Sequence, residues 1–536
     1  MRTTVKLIVT LAAWVSTIDS RPGVSQTNAV RLDIPCTPDG ASSPLDNTFA
    51  SLSIEPAYWY EYFGNFTDPN RFTFDLLDRI SEHGGRPNIR PGGITMDSML
   101  SDPSAGDPVR TTDAKGGVYR LTVGPNYYRS WGNFPNQTKF ISTLNLGNNS
   151  LAIAEGLALA SGEYAGPRIL SFELGNEPTN YPSSRWDNST AAYVEQWQNW
   201  TSQIDATVDA TGHLPNLGSQ RWFASSATTD DTPLHVQPVN LIPAGIDSRD
   251  QVSYYSIHSY PFSTCDPTRA ALATIEGILN HTELVEYAVN EIYPSAKAAL
   301  QSGSKWVIGE FNSISCSGKP NVSDTFAQAL WTIDSDLIYA SLNASNVYLH
   351  QGATLAFQSN DQTNTAGPNG TPGFSTYSIV YPRDSALRGS ARALPSFLSQ
   401  LFMGEVFASN DTRVRRLEAP SGVEDESFAA YGLYNDSQIK KLAIVNMKPY
   451  YANSTSDHSV TVDISSIGGT AWVKRLTAPH VDEQNSTCTT WAGQSFPLGI
   501  PIGEQSIEVA NRSVTVRGSE AVLVFFDKDQ VIGLDC

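Results

Sequence analysis

Two phrases of the sequence run an apolar stretch straight into a carboxylate. One is Leu170-Ser171-Phe172-Glu173-Leu174-Gly175-Asn176-Glu177-Pro178, the other Trp306-Val307-Ile308-Gly309-Glu310-Phe311-Asn312. Read as strands, they deliver Asn176, Glu177 and Glu310 to strand ends, where a barrel of parallel strands opens on its active site. Cleaving a glycosidic bond needs two carboxyl groups, one to protonate the departing oxygen and one to meet the positive charge growing at the anomeric carbon. With the two roughly 5 to 5.5 Å apart, Glu310 is the nucleophile and Glu177 the acid and then the base, and configuration is retained. An ionised Glu310 close by raises the pKa of Glu177 and keeps it protonated for the acid role. Either glutamate alone reads as a solvated surface residue or an ordinary ion-pair partner. The repeated context of strand, glycine and carboxylate is what singles out the pair.

The elements that must position them follow from periodicity. Between Leu52 and Tyr381, short β-rich apolar runs alternate with helix-like stretches, the pattern of repeated βα units. Strands are expected at Leu52–Ile54, Asn88–Arg90, Arg168–Glu173, Val252–Ile257, Lys305–Ile308 and Val347–Gln351. Helices are expected at Arg71–His83, Ala191–Ala210, Thr268–Leu279, Leu284–Gln301 and Ser323–Leu342, each with apolar residues recurring at three or four. Beyond Leu401 the texture becomes alternating runs separated by Gly, Asn, Asp and Ser turns, which predicts an all-β unit. The expected fold class is therefore α/β, a (β/α)8 barrel over residues 49–400 followed by a β-sandwich over 401–536. Residues 21–48 precede the barrel, and Ala29–Leu32 is a candidate extra strand of the sandwich. Ser359–Thr376, rich in Asn, Gly, Pro and Thr, reads as a long loop over the barrel mouth.

Composition narrows the setting. Residues 1–20 carry a basic start, an apolar run from Leu7 to Val15 and a small polar end, the signature of a signal peptide; the run is too short to span a bilayer. Fourteen Asn-x-Ser/Thr sequons, from Asn65 to Asn511, agree with export and N-glycosylation. Five cysteines in an exported chain allow two disulfides, and the absence of CxxC, HExxH or clustered histidines predicts neither metal nor other cofactor. A formal charge of −19 argues against nucleic acid or a sulfated polyanion as partner, because those need a basic surface. Neither a membrane span nor a lipid-anchor tail is expected, and oligomeric state is not readable.

On Asn176-Glu177-Pro178, on Gly309-Glu310 and on Ser323–Ala327, the chain resembles glycoside hydrolase family 79, which holds β-glucuronidases and heparanases. The resemblance covers Leu52 to about Gln351 and, more weakly, the C-terminal sandwich. It implies Glu177 on the fourth strand as acid/base and Glu310 on the seventh as nucleophile. It also implies Glu55 on a sugar hydroxyl, Asn176 on the 2-hydroxyl, His258 lining the cleft, Tyr260 orienting the nucleophile and Gln351 as a polar contact on the eighth strand. Arg90 and Asp97 would support the site. A uronate carboxylate would meet N–H donors in Ser313–Gly318, here assigned to Ser317 and Gly318, and the hydroxyl of Tyr377. Cys316 departs from the family's version of that loop. Cys265 and Cys316 then lie just beyond the sixth and seventh strands on one face, so a disulfide between them would fix the loop, and Cys488–Cys536 is the remaining guess. The implied substrates are glycans carrying terminal β-linked glucuronate, plain or 4-O-methylated, cleaved by a secreted retaining β-glucuronidase. A neutral-sugar β-glycosidase, a heparanase-like endo-enzyme and a non-catalytic carbohydrate-binding glycoprotein stay open as rivals.

Overall fold

A computed structural model describes residues 29–112, 118–214, 216–230, 232–354 and 373–534. The expected signal peptide, most of the insertion (359–372) and Cys536 lie outside the described residues. Eight parallel strands close a barrel in sequential order: β1 (Ala50–Ile54), β2 (Ile89–Pro91), β3 (Phe140–Leu144), β4 (Ile169–Leu174), β5 (Trp222–Ala227), β6 (Val252–Ser259), β7 (Lys305–Phe311) and β8 (Val347–Gln351). Alternation of side chains along a strand sends every second residue inward. Near the amino ends, Ile141, Phe223, Val307 and Tyr348, with Leu170 and Tyr254 against them, meet from six strands and plug the interior with apolar side chains. Near the carboxyl ends the inward residues are polar.

Two expected helices are broken, each for a local reason. The Thr268–Leu279 stretch divides into Pro267–Leu272 and Ile275–Ile278, because the Thr274 hydroxyl accepts the Gly277 N–H and caps a second start. The Leu284–Gln301 stretch becomes His281–Tyr287, a π-turn at Ala288–Ile292, and Tyr293–Gln301. Pro294 at the start of the last piece has no N–H for the preceding turn, which widens to accommodate it. None of the helices among the described residues is long and apolar enough to cross a membrane.

The C-terminal strands form a large sheet, with strands 413–417, 428–435, 438–446, 520–525, 471–477 and 490–491 side by side. A small facing sheet joins Val30–Arg31, Val460–Asp463 and Ser513–Val516. In Glu520–Phe525, Val522 and Val524 point into the sandwich core, whereas Ala521, Leu523 and Phe525 join the barrel's apolar cluster. Burial on both faces makes the segment continuously apolar. The expected boundary at residue 401 is corrected: it falls inside helix Phe397–Val406, whose every residue is buried. A helix buried all round carries no polar stripe to mark it as a seam between domains.

At this seam Glu405 accepts both oxygens' worth of hydrogen bonds from Lys474 Nζ at 2.8 Å, with His83 Nδ1 at 2.6 Å and Trp491 Nε1 at 2.9 Å. Lys441 Nζ donates to the Glu405 carbonyl at 2.6 Å. Burial works against the Glu405 carboxylate, but His83 and Lys474 hold its pKa below the ordinary value, while burial pushes Lys441 down to about 8. Glu405→Gln strands a buried ammonium, and is expected to lower unfolding free energy at pH 7 by roughly 3–5 kcal/mol. Because the native Glu405 pKa is depressed, its contribution is present above the unfolded carboxylate value and is lost as pH falls through the native one. Denaturant titrations of both proteins should therefore converge toward low pH; a constant gap would exclude this charge as the cause.

Candidate active site

The catalytic candidates gather at the carboxyl ends of the barrel strands. Glu177 follows β4 after a left-handed Gly175 (φ 84°) and is itself left-handed, with φ 49°. Its N–H donates to the Ser226 carbonyl at 2.9 Å. Glu310 lies within β7, and a Cβ on the preceding Gly309 would run into the Ser256 hydroxyl on β6, so glycine leaves room for that side chain. One carboxylate oxygen of Glu177, one of Glu310 and a ring nitrogen of His258 lie within 4.8 Å of one another.

The two carboxyl groups differ sharply in charge partners. Glu310 takes Arg90 Nη1 on Oε2 at 2.8 Å and the Tyr260 O–H on Oε1 at 2.8 Å, with His350 Nδ1 3.8 Å from Oε2. Burial alone would raise its pKa, but the neighbouring His350, His258 and Arg90 charges and the Tyr260 hydrogen bond hold it well below the usual carboxylate range. Burial pushes His258 down to about 4, so above that pH it is neutral and Arg90 and His350 carry the positive charge. Glu177 has no cation in contact. Its Oε1 lies 3.0 Å from His258 Nδ1 and its Oε2 accepts Asn180 Nδ2 at 3.0 Å. Burial, then repulsion by Glu310, raises its pKa well above the ordinary carboxyl value.

Arg90, fully buried on β2, is held by Glu173 through Nε at 2.6 Å and Nη2 at 3.2 Å, and donates to Asn176 Oδ1 at 3.1 Å. That leaves Asn176 Nδ2 buried without a protein partner, a donor available to a sugar hydroxyl. Asp97 accepts the N–H groups of Leu146, Gly147 and Asn176, the last at 2.9 Å, and so fixes the chain entering the site. Glu55 accepts the Thr95 N–H at 2.7 Å and stands 3.7 Å from His350 Nε2. A Cβ at Gly93 would meet the Glu55 carboxylate at 2.5 Å. Tyr377 is buried with its ring centroid 6.2 Å from that of His350, and its hydroxyl is where a Cβ on Gly352 would collide.

Two expected contacts are corrected. Gln351 faces out of the barrel, its Oε1 accepting the Ile379 N–H at 2.8 Å and its Nε2 donating to the His350 carbonyl at 3.0 Å. It anchors the chain returning from the insertion and is not a sugar ligand; its neighbour His350 points inward, one step of alternation away. The Gly318 N–H donates to the Ile314 carbonyl at 3.1 Å and is spent in closing the turn, so it is no carboxylate donor. Ser317 sits in that turn at φ 75°, between left-handed Cys316 and Gly318, with its carbonyl accepting the Thr376 N–H at 3.0 Å. The turn is braced by parallel pairing of Phe262–Ser263 with Ile314–Ser315 and by the Cys265–Cys316 disulfide. Cys488 is exposed, and its guessed partner Cys536 is outside the described residues. Sequence reasoning missed His350, Glu173 and Ser226. Parity along Tyr348 and His350, and a charge inside the apolar β4, were signals for the first two.

A sequence profile for the glycosyl hydrolase family 79 C-terminal beta domain matches residues 430–523, and one for cellulase, glycosyl hydrolase family 5, matches residues 145–346. A β-glucuronidase of Aspergillus niger is 28% identical over 87% of this chain and 86% of its own. One of Neurospora crassa is 24% identical over 82% of this chain and 78% of its own. The chain is a glycoside hydrolase, with a C-terminal β domain similar to that of family 79. The barrel-and-sandwich fold recurs in the crystal structure of a 4-O-α-L-rhamnosyl-β-D-glucuronidase from Fusarium oxysporum, with TM-score 0.75 and 20% identity over 93% of this chain and all of that one. It recurs again in a family 51 α-L-arabinofuranosidase from Bifidobacterium longum, with TM-score 0.58 and 13% identity over 93% of this chain and 99% of that one.

In this glycoside hydrolase, a carboxyl held protonated beside a carboxylate held ionised can donate a proton and attack carbon in the same encounter. The Glu177, His258 and Glu310 ligand atoms could also meet a small cation, but both Glu310 oxygens already accept hydrogen bonds, from Arg90 and Tyr260. Activity on an activated aryl glycoside should fall as pH drops through the low Glu310 pKa and as it rises through the elevated Glu177 pKa. His350→Gln removes a positive charge facing Glu310 and should move the acid limb of kcat/KM upward by about one pH unit while leaving the basic limb in place. An unmoved acid limb would show that His350 does not hold Glu310 ionised.

Proposed function

We propose that the protein is an exo-acting, retaining β-glucuronidase that removes terminal β-linked glucuronate, plain or 4-O-methylated, from the glycans of proteoglycans or plant cell walls. The observation that carries the retaining reading is the approach of Glu177 and Glu310 within 4.8 Å in opposite charge states. An inverting enzyme must seat a water between its carboxyl groups and keeps them about 6.5–9.5 Å apart. The choice of glucuronate rests on the two β-glucuronidase relatives, each alignable over most of both chains.

In the first step Glu310 attacks the anomeric carbon and forms an ester to the sugar, while Glu177 gives its proton to the glycosidic oxygen and the aglycone leaves. Loss of negative charge from Glu310 and its gain on Glu177 reverse the pair's electrostatics, so Glu177 is now the base. Water then adds to the anomeric carbon as Glu177 takes its proton, and the ester to Glu310 breaks with overall retention. Arg90 and Tyr260 hold the nucleophile's two oxygens, and Asn176 Nδ2 serves the 2-hydroxyl, where hydrogen bonding strengthens in the transition state. The sugar carboxylate is assigned to the Tyr377 hydroxyl and the Cys316–Ser317 turn.

Secretion and N-glycosylation are part of the same proposal. A disulfide suits an oxidising compartment. All the sequons but Asn369 fall on described residues, and none of those asparagines is buried.

The test compares aryl β-glucuronide and aryl β-glucoside hydrolysis by wild type, Glu177→Gln and Glu310→Gln, with the first-formed anomer followed by NMR. Glucuronide cleavage giving the β-anomer, reduced by at least roughly a thousandfold in Glu310→Gln, is expected. Glucoside cleavage without glucuronide cleavage would replace the substrate, and an α-anomer first product would overturn the mechanism.

A further inference from the structure

Strand β5 ends in a bulge that touches both halves of the catalytic pair. Its pairing with β6 runs Ser225 to Ser256 and then Ala227 to Ile257, so Ser226 is the extra residue. Bulges beside active sites bend a strand and re-aim one side chain. Here Ser225 and Ser226 stand at φ 82° and 51°, a left-handed succession that two serines adopt only where the surroundings impose it. Ser225 is tied down by its hydroxyl, which donates to the Val236 carbonyl at 2.8 Å.

Ser226 is buried and makes two contacts of different kinds. Its carbonyl accepts the Glu177 N–H at 2.9 Å, which holds the acid in its own left-handed conformation. Its hydroxyl donates to Glu173 Oε1. Glu173 in turn grips Arg90 through Nε at 2.6 Å, and Arg90 presents Nη1 to Glu310 Oε2 at 2.8 Å. One residue thus holds the main chain of the proton donor and, through Glu173 and Arg90, the counter-ion of the nucleophile.

We propose that Ser226 is a positioning residue that fixes the spacing and the charge asymmetry of Glu177 and Glu310. The inference rests on the reading of Glu310 as an ionised nucleophile and Glu177 as the acid. Without the hydroxyl, Glu173 Oε1 loses a donor, the Glu173–Arg90 fork loosens, and the guanidinium is no longer held square to Glu310. The nucleophile then protonates at higher pH. Asn176 keeps its backbone bond to Asp97, and Glu55 is held by Thr95 outside this chain of bonds, so KM moves less than kcat.

Ser226→Gly removes the hydroxyl while favouring the left-handed backbone; Ser225→Gly makes the same backbone change and loses the bond to Val236 but keeps the Ser226 hydroxyl on Glu173, and is the control. Profiles of kcat and KM against pH are measured on whichever aryl glycoside the wild type cleaves, so failure of the glucuronide assignment stays separate from failure here. Ser226→Gly should lower kcat roughly ten- to a hundredfold, as expected when reacting groups are slightly misplaced, with KM little changed. Its acid limb should rise by about one pH unit while that of Ser225→Gly stays with the wild type. A wild-type kcat and acid limb in Ser226→Gly would overturn the proposal, as would an equal shift in Ser225→Gly. If Ser226→Gly does not fold, Ser226→Ala is read by the same criteria.

Discussion

A guanidinium with no access to water, wedged between two carboxylates, is the interaction on which the site depends. Arg90 lies in the barrel interior with Glu173 on one side and Glu310 on the other. Charges buried this deeply interact far more strongly than at a surface, and each must be paired because removal from water costs several kcal/mol per ion. Glu173 alone would neutralise Arg90. The contact with Glu310 therefore leaves the local balance one negative charge over, and His350, placed between Glu310 and Glu55, takes up part of the excess. Glu177 receives no such partner. Two residues of one chemical type, a few ångströms apart, have their pKa values pushed in opposite directions, because the barrel supplies a cation to one and a neutral imidazole to the other.

The rest of the molecule can be read as what is needed to keep this polar layer fixed. Beneath it, the apolar plug around Phe223 and Tyr348 closes the barrel floor. Outside it, helix Phe397–Val406 and the large sheet press apolar side chains against the barrel wall, and the sandwich is as much a buttress as a domain. Its attachment is itself partly ionic, since Glu405 at the seam is paired with Lys474. The mobile degrees of freedom of an active-site loop are restrained above by the Cys265–Cys316 bond and by Thr376 on Ser317. Long loops supply specificity in barrel enzymes, and here the loop after β7 is tied to the loop after β6 by strand pairing as well as by the disulfide.

The two misplaced contacts have different origins. Gln351 and His350 are adjacent polar residues at the end of one strand, and a pleated strand sends neighbours to opposite faces. Choosing between them required the parity of the barrel interior, which Tyr348 could have supplied. The resemblance to family 79 points to the Gly318 N–H as a carboxylate donor. In a turn of three successive left-handed residues that N–H is consumed by the turn itself.

From the sequence alone came the fold class, most strands, and the choice of Glu177 and Glu310 as the candidate pair, because hydrophobic period and strand-end carboxylates are local properties of the chain. The Tyr260 contact with Glu310 and the Cys265–Cys316 bond were legible only with the help of a family resemblance. What the tertiary structure decided was which buried charges meet. Glu173, Arg90, Ser226, Glu310 and His350 come from five different strands, and their contacts span up to 220 residues of chain between Arg90 and Glu310. The bulge at Ser226 leaves no local mark, since two serines in a strand look like any others. Protonation states depend on distance and burial, and neither is set until the barrel closes.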